Sequence, residues 1–335
     1  MDRRQFLSGG AALLGAAALG ASLGSGLVQT RALAKTTGWV WDDIFLTPVF
    51  SPTHPEQPER VSTILQTMDA RGVLAQLEPI SIRQPTDDEL RLIHTPEHIA
   101  GIRRNHGAQI DALARAAVGG TLAACEAVHA GKIRNAFVCS RPPGHHARND
   151  GREEGFCFYN HVAIAARFVQ QVLGYRRVLI VDWDYHHGDG TEYFFYRDPD
   201  VLFFSTHDWG AYPRTGDPGR TGADTGIGTN INVPLRCGAT DADMLQAFDT
   251  ELLPAALAFD PDFVLISAGF DSRMQDLLGC FAVTDEGYRQ MTERVCDIAK
   301  AHCDGRVVSV LEGGYNFAGI ASGVATHVAT MAAYS

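Results

Sequence analysis

The run Val178-Leu-Ile-Val-Asp182-Trp-Asp184-Tyr-His186-His187-Gly188-Asp189 passes abruptly from apolar residues to a dense cluster of ionisable ones. Four consecutive aliphatic residues, with no polar alternation, describe a strand buried on both faces of a sheet. If the strand continues, Asp182, Asp184 and His186 point the same way, because side chains in a strand repeat every second residue. Two carboxylates and an imidazole form a donor set that zinc, iron or manganese accepts. The bland alternative is a set of turn residues capping the next helix, with Gly188 and Gly190 making the exit. That alternative leaves charges at the end of a buried strand without a counter-charge, which is costly.

Four further runs share this design. Ala136–Ser140 leads to Arg141-Pro-Pro-Gly-His145-His146, and Val201–Ser205 leads to Thr206-His207-Asp208. Phe263–Ala268 leads to Gly269-Phe270-Asp271, and Val307–Leu311 leads to Glu312-Gly-Gly-Tyr315. Helical patterns separate them, which predicts an α/β domain with a parallel sheet. Sites in such sheets lie beyond the carboxyl ends of the strands, so these segments are expected to meet on one edge. The capping signature Thr86-Asp-Asp-Glu89 predicts a helix running towards Ile102. An Ala-rich helix is expected over 111–130, ended by Gly131, and another over 162–173, ended by Gly174. Thr240 and Thr284 are placed to cap two later helices.

A catalytic zinc takes three protein ligands and keeps a position for water. Asp184 and His186 supply two, and Asp271, the first carboxylate after another strand end, is the natural third. His145 and His146 titrate near neutral pH and suit proton transfer. Asp182 and Asp189, the spare acids, fit as hydrogen-bond partners that orient them. Tyr315, after a diglycine, could donate to an oxyanion.

These residues resemble the histone deacetylase and acetylpolyamine amidohydrolase superfamily. The resemblance runs from His54-Pro-Glu-Gln-Pro-Glu-Arg60 through Arg141–Ala147, Gly155-Phe-Cys-Phe-Tyr-Asn160, Asp182–Gly190, Asn232-Val-Pro-Leu235 and Ser267–Asp271 to Glu312–Tyr315. Gly-Phe-Asp and Glu-Gly-Gly-Tyr look more like the class II and bacterial branches than class I. The resemblance implies an arginase-like three-layer α/β fold around a mostly parallel eight-stranded sheet. It implies Asp184, His186 and Asp271 as ligands of Zn²⁺, with Fe²⁺ an alternative. It makes His145 and His146 a dyad oriented by Asp182 and Asp189, with Tyr315 polarising the substrate carbonyl. Gly155, Phe156, Tyr212 and Leu278 fall at or near the tunnel for the acyl-amine. A structural K⁺ would use Asp182, the Ser205 hydroxyl and the carbonyls of Asp184, His186 and Thr206. The implied reaction removes acetyl or other short acyl groups from acyl-lysine or acylpolyamine substrates. His161, Leu277-Leu-Gly-Cys280 and Glu153-Glu154 depart from the commoner pattern and bear on substrate preference.

Rival readings are an arginase-like two-metal hydrolase, a non-catalytic acyl-amine binder and a purely structural protein. The first needs a carboxylate where Gly188 stands. The others leave the full set of ligands and Tyr315 unexplained.

The chain has 335 residues, 45% hydrophobic and 20% charged, with a net charge of -11. These values describe an ordinary soluble domain whose field disfavours nucleic acid and anionic membranes. Residues 1–34 read as a signal: Arg3-Arg4-Gln-Phe-Leu7, an Ala/Leu/Gly run from Ser8 to Val28, then Ala32-Leu-Ala34. The paired arginines resemble a twin-arginine address, which predicts a periplasmic or exported protein, with cleavage and no lasting membrane insertion; the alternative is an uncleaved anchoring helix, since the apolar run is nearly long enough to span. Cleavage would turn 28 basic and 39 acidic residues into 25 and 38, a balance of -13. Residues 35–335 are then one catalytic domain. Seven scattered cysteines without a C-x-x-C pair argue against a disulfide framework or a thiolate zinc site; Cys296 and Cys303 are the nearest candidates for pairing.

Overall fold

The computed structural model describes residues 36–334, so the expected export signal lies outside the described residues. Eight strands form one sheet: β1 (Thr37–Val40), β2 (Glu78–Ile80), β3 (Asn135–Val138), β4 (Val178–Asp182), β5 (Val201–Asp208), β6 (Asn230–Leu235), β7 (Phe263–Ala268) and β8 (Val307–Leu311). Their order is β2-β1-β3-β8-β7-β4-β5-β6, and every neighbouring pair is parallel. The five expected runs are thus contiguous, as β3-β8-β7-β4-β5, and their polar ends share one edge.

All five residues of β4 are buried. Leu179 and Val181 pack on one side with Trp183, Phe248 and Met291; Val178 and Ile180 pack on the other with Leu122, Phe168 and Val169. Each such aliphatic side chain contributes about 1.5–3 kcal/mol when taken out of water. Helices Glu59–Ala70, Asp285–His302 and Phe317–Ala333 cover the first side. Most of Ala108–His129, together with His161–Gln171, covers the second.

Several local expectations change. The Thr86 capping box is present, but its helix ends at Leu90 and a new one spans Pro96–His106, capped by Thr95. Proline disfavours helix in the residue before it and suits the first helical turn, so Thr95-Pro96 divides the expected single helix. Thr284 caps as expected, and Thr240 starts its helix in a capping box with Asp243. Beyond β4 the chain does not stay extended. Asp182 Oδ1 accepts the Asp184 amide at 3.1 Å, and Asp184 Oδ1 accepts the His186 amide at 2.9 Å. Each carboxylate thereby curls the backbone two residues on.

One disulfide corrects the cysteine reading: Cys237 and Cys280 are joined, with Cα atoms 5.2 Å apart. Cys296 and Cys303 are free and buried. Seven residues of helix separate those two by about 10 Å, beyond bridging reach.

Candidate active site

The register of β4 on β7 aligns Asp182 with Ser267, so the loops after the two strands leave side by side. His186 Nδ1 lies 3.2 Å from Asp184 Oδ1 and 3.0 Å from Asp271 Oδ2. One donor atom from each of the three residues falls within 4.8 Å of the others. Neither buried carboxylate has an arginine or lysine within ion-pair distance among the described residues. Burial and the Asp184 charge push Asp271 up to about 7. Burial would lower His186, but its bonds to Asp184 and Asp271 raise it to about 10. A proton on His186 therefore stands between two acids where a dication would serve better. A Cβ at Gly313 would sit 2.2 Å from Asp271 Oδ2 and 2.6 Å from Asp184 Oδ2. Glycine alone lets the β8 end close over this cradle, and its amide donates to Asp184 Oδ2 at 2.8 Å. Two hard oxygens and one imidazole, short of compensating charge, fit a zinc-type ion.

The dyad lies beside it. His145 Nδ1 is 3.0 Å from Asp182 Oδ2, and His146 Nδ1 is 2.8 Å from Asp189 Oδ1, as expected. The two rings are 4.0 Å apart but differ electrically. Burial opposes charge on His145, yet Asp184 and Asp182 hold it well above the usual imidazole range. Burial and the neighbouring His145 push His146 down to about 3. Adjacent groups with opposite shifts are the pattern of an acid and base pair.

His145, His146, His186 and Tyr315 line a cavity of about 460 Å³ together with Glu153, Gly155, Phe156, Ala211, Tyr212 and Leu278. All four residues expected at the substrate tunnel are therefore at its wall. Gly155, at φ 53, allows close approach, since a Cβ there would be 2.3 Å from the His146 ring. Phe156 meets Tyr315 edge to face at 5.8 Å, and the Tyr212 ring lies 5.1 Å from His146. Tyr315 is buried, and burial raises its phenol well above the ordinary value, so it stays a neutral donor.

Sequence reasoning assigned no role to the groups beneath. Glu56, Arg60 and Arg141 are all fully buried. Glu56 Oε1 accepts Arg60 Nη1 at 3.0 Å and Arg141 Nε at 2.8 Å. Arg60 also donates to the Gly314 carbonyl at 2.7 Å and to that of Glu312, and its guanidinium lies 4.9 Å from the Tyr315 ring centre. Glu312 Oε2 accepts the Gly144 and His145 amides at 2.6 and 3.2 Å, tying the β8 end to the dyad loop. Asp276 Oδ2 accepts the Tyr315 amide at 2.7 Å. The motif strings containing Glu56, Arg60, Arg141 and Glu312 were the available signal.

Asp182 and Ser205, two of the five residues assigned to potassium, are cross-strand partners. Ser205 Oγ lies 3.0 Å from His207 Nδ1. A Cβ at Gly188 would already be 2.1 Å from Asp182 Oδ2, so the carboxylate of a second-metal site cannot be placed there without displacing the dyad's partner. His145, Cys157 and Glu312 form another close group, but its polar atoms are already engaged: Glu312 Oε2 accepts the Gly144 and His145 amides, and His145 Nδ1 is held by Asp182.

Comparison with known proteins agrees with this geometry. The model of the histone deacetylase domain matches residues 54–331. Histone deacetylase 15 of Arabidopsis thaliana is 39% identical over 287 residues, covering 80% of this chain and 51% of that protein. A probable deacetylase of Archaeoglobus fulgidus is 37% identical over 298 residues, covering 84% and 82%. The human polyamine deacetylase HDAC10 is 35% identical over 334 residues, covering 92% and 48%. The chain thus spans about half the length of the plant and human relatives. The crystal structure of the HDA15 HD domain superposes with a TM-score of 0.83 at 35% identity, covering 90% of this chain and 89% of that one. By the match over its length and these identities, the chain belongs to the histone deacetylase domain family.

Proposed function

We propose that the chain is a zinc-dependent amidohydrolase that removes acetyl or other short acyl groups from acyl-lysine or acylpolyamine substrates. The observation that carries this reading is the Asp184–His186–Asp271 triad, with donor atoms within 4.8 Å of one another, beside the histidine dyad in one cavity. A dication held by the triad would supply a Lewis acid and lower the pKa of bound water. His146, neutral and with Nδ1 turned to Asp189, keeps Nε2 to take the water's proton and return it to the leaving amine. His145, its Nδ1 held by Asp182 at 3.0 Å beside the triad, stabilises developing negative charge. Tyr315, kept as a phenol, donates to the substrate oxygen as it becomes an oxyanion. The products are a free amine and a carboxylate. The same proposal includes a structural K⁺ beside Asp182 and Ser205, and twin-arginine export, which rests on Arg3-Arg4 and Ala32-Leu-Ala34.

Metal analysis of the purified chain should give one zinc or iron per molecule, with turnover of an acetyl-lysine peptide or an acetylated polyamine. Tyr315→Phe should lower kcat about 10²–10³-fold, the size of losing one oxyanion donor, with metal content unchanged. A metal-loaded chain that binds these amides without cleaving them would be the binding protein instead.

A further inference from the structure

Glu153 and Glu154 are neighbours on the loop carrying Gly155 and Phe156, yet their surroundings differ. Glu154 is paired, with Arg148 Nε donating to Oε2 at 2.8 Å. Glu153 lines the cavity beside Phe156, Tyr212 and Leu278. Neither arginine nor lysine lines that cavity, and none forms an ion pair with Glu153 among the described residues. Its Oε1 accepts the Phe156 amide at 2.5 Å, which fixes the carboxylate at the wall. Its field reaches inward, adding to burial and to Asp189 and Glu154 in raising the Tyr212 phenol.

With the acyl group at the triad, the amine half of a substrate leaves past Phe156, Tyr212 and Leu278, and Glu153 is the uncompensated charge along that wall. We propose that Glu153 is a specificity-determining residue that selects acyl amines carrying a second, protonated amine on the same alkyl chain. The inference rests on reading the site as an amide hydrolase. The competing role is structural: Glu153 holds Phe156, whose φ is 68, and no more. Glu153→Gln separates the two, since the amide oxygen still accepts the Phe156 N–H while the charge is gone.

The test uses the full metal-loaded chain and two probes of equal length, N-acetylcadaverine and N-hexylacetamide, in which a methyl replaces the terminal ammonium. Wild type should prefer the cation. Glu153→Gln should lower the cation-to-neutral ratio of kcat/KM about fivefold, as expected for one partly exposed ion pair, with the change carried by KM. Glu153→Lys should lower it further, and added salt should erode the wild-type preference. A ratio unchanged in Glu153→Gln, or a parallel fall in kcat for both probes, would overturn the proposal and leave the structural role. Wild type hydrolysing neither probe nor an acetyl-lysine peptide would instead overturn the hydrolase reading, and this inference with it.

Discussion

Two buried charge clusters lie on the same edge of the sheet and are built in opposite ways. In one, Glu56 is shared by Arg60 and Arg141, so the chain itself supplies more cation than anion. In the other, Asp184 and Asp271 face each other across His186, and no arginine or lysine among the described residues pairs with either. Both clusters contain fully buried charges and both must offset the cost of leaving water. The first does so with fixed partners and becomes scaffold. The second, on the proposed reading, leaves a place for an exchangeable ion. Arg60 joins them mechanically, because it grips the Gly314 and Glu312 carbonyls on either side of the glycine that covers the triad.

The sharpest way to break this contrast is to remove the shared anion. Glu56→Ala leaves two guanidinium groups buried without a carboxylate, and stability should fall by about 3–5 kcal/mol. Urea unfolding reads this directly, and the loss should be the same with metal or with chelator. A loss under about 1 kcal/mol would mean that the backbone carbonyls alone satisfy both arginines.

The triad should respond to protons near neutral pH. His186, raised to about 10, carries a proton at neutral pH that an incoming metal must displace. Lower pH therefore weakens binding. Between pH 7 and 9 the apparent Kd should rise about tenfold for each unit of acidification, from this one proton. Competition with a chromophoric chelator measures the slope. A flat profile would show that His186 does not hold the proton, and the two clusters would no longer differ in the exchangeability of their cation.

Much of the site was legible because its parts are short-range: an apolar run, then aspartate, histidine and glycine. All five such runs became strands, and Asp184, His186 and Asp271 came together as their positions suggested. What failed was long-range or too short to show a period. β1 and β2 have four and three residues, too few to reveal an alternation. Glu56 meets Arg141 across 85 positions, and Arg60 meets Gly314 across 254, with nothing local to announce either contact. The Cys237–Cys280 pairing spans 43 residues and depends on how two loops are held. The helix break at Thr95-Pro96 is different, since its signal was present and local propensity should have been read there.

The smallest expected effect has the opposite sign and tests the comparison most closely. Burial and Asp184 raise Asp271 to about 7, above an unfolded value near 3.9, so ionising it costs the folded state more than the unfolded one. Without metal, that cost begins as pH rises past the unfolded value and is complete once pH exceeds the folded one. Asp271→Asn removes the ionisation, and its Oδ1 can still accept the Tyr185 amide, now 2.9 Å away. At pH 8 in chelator, the variant should be more stable than wild type by about 1 kcal/mol or more, since each unit of the shift is worth about 1.4 kcal/mol of differential interaction. With saturating metal the order should reverse, because wild type alone gains the ligand's binding free energy. Thermal unfolding of both proteins in chelator and in zinc supplies all four values. If Asp271→Asn were destabilising in chelator, Asp271 would belong with Glu56 as scaffold, and the triad would lose its claim to bind a metal.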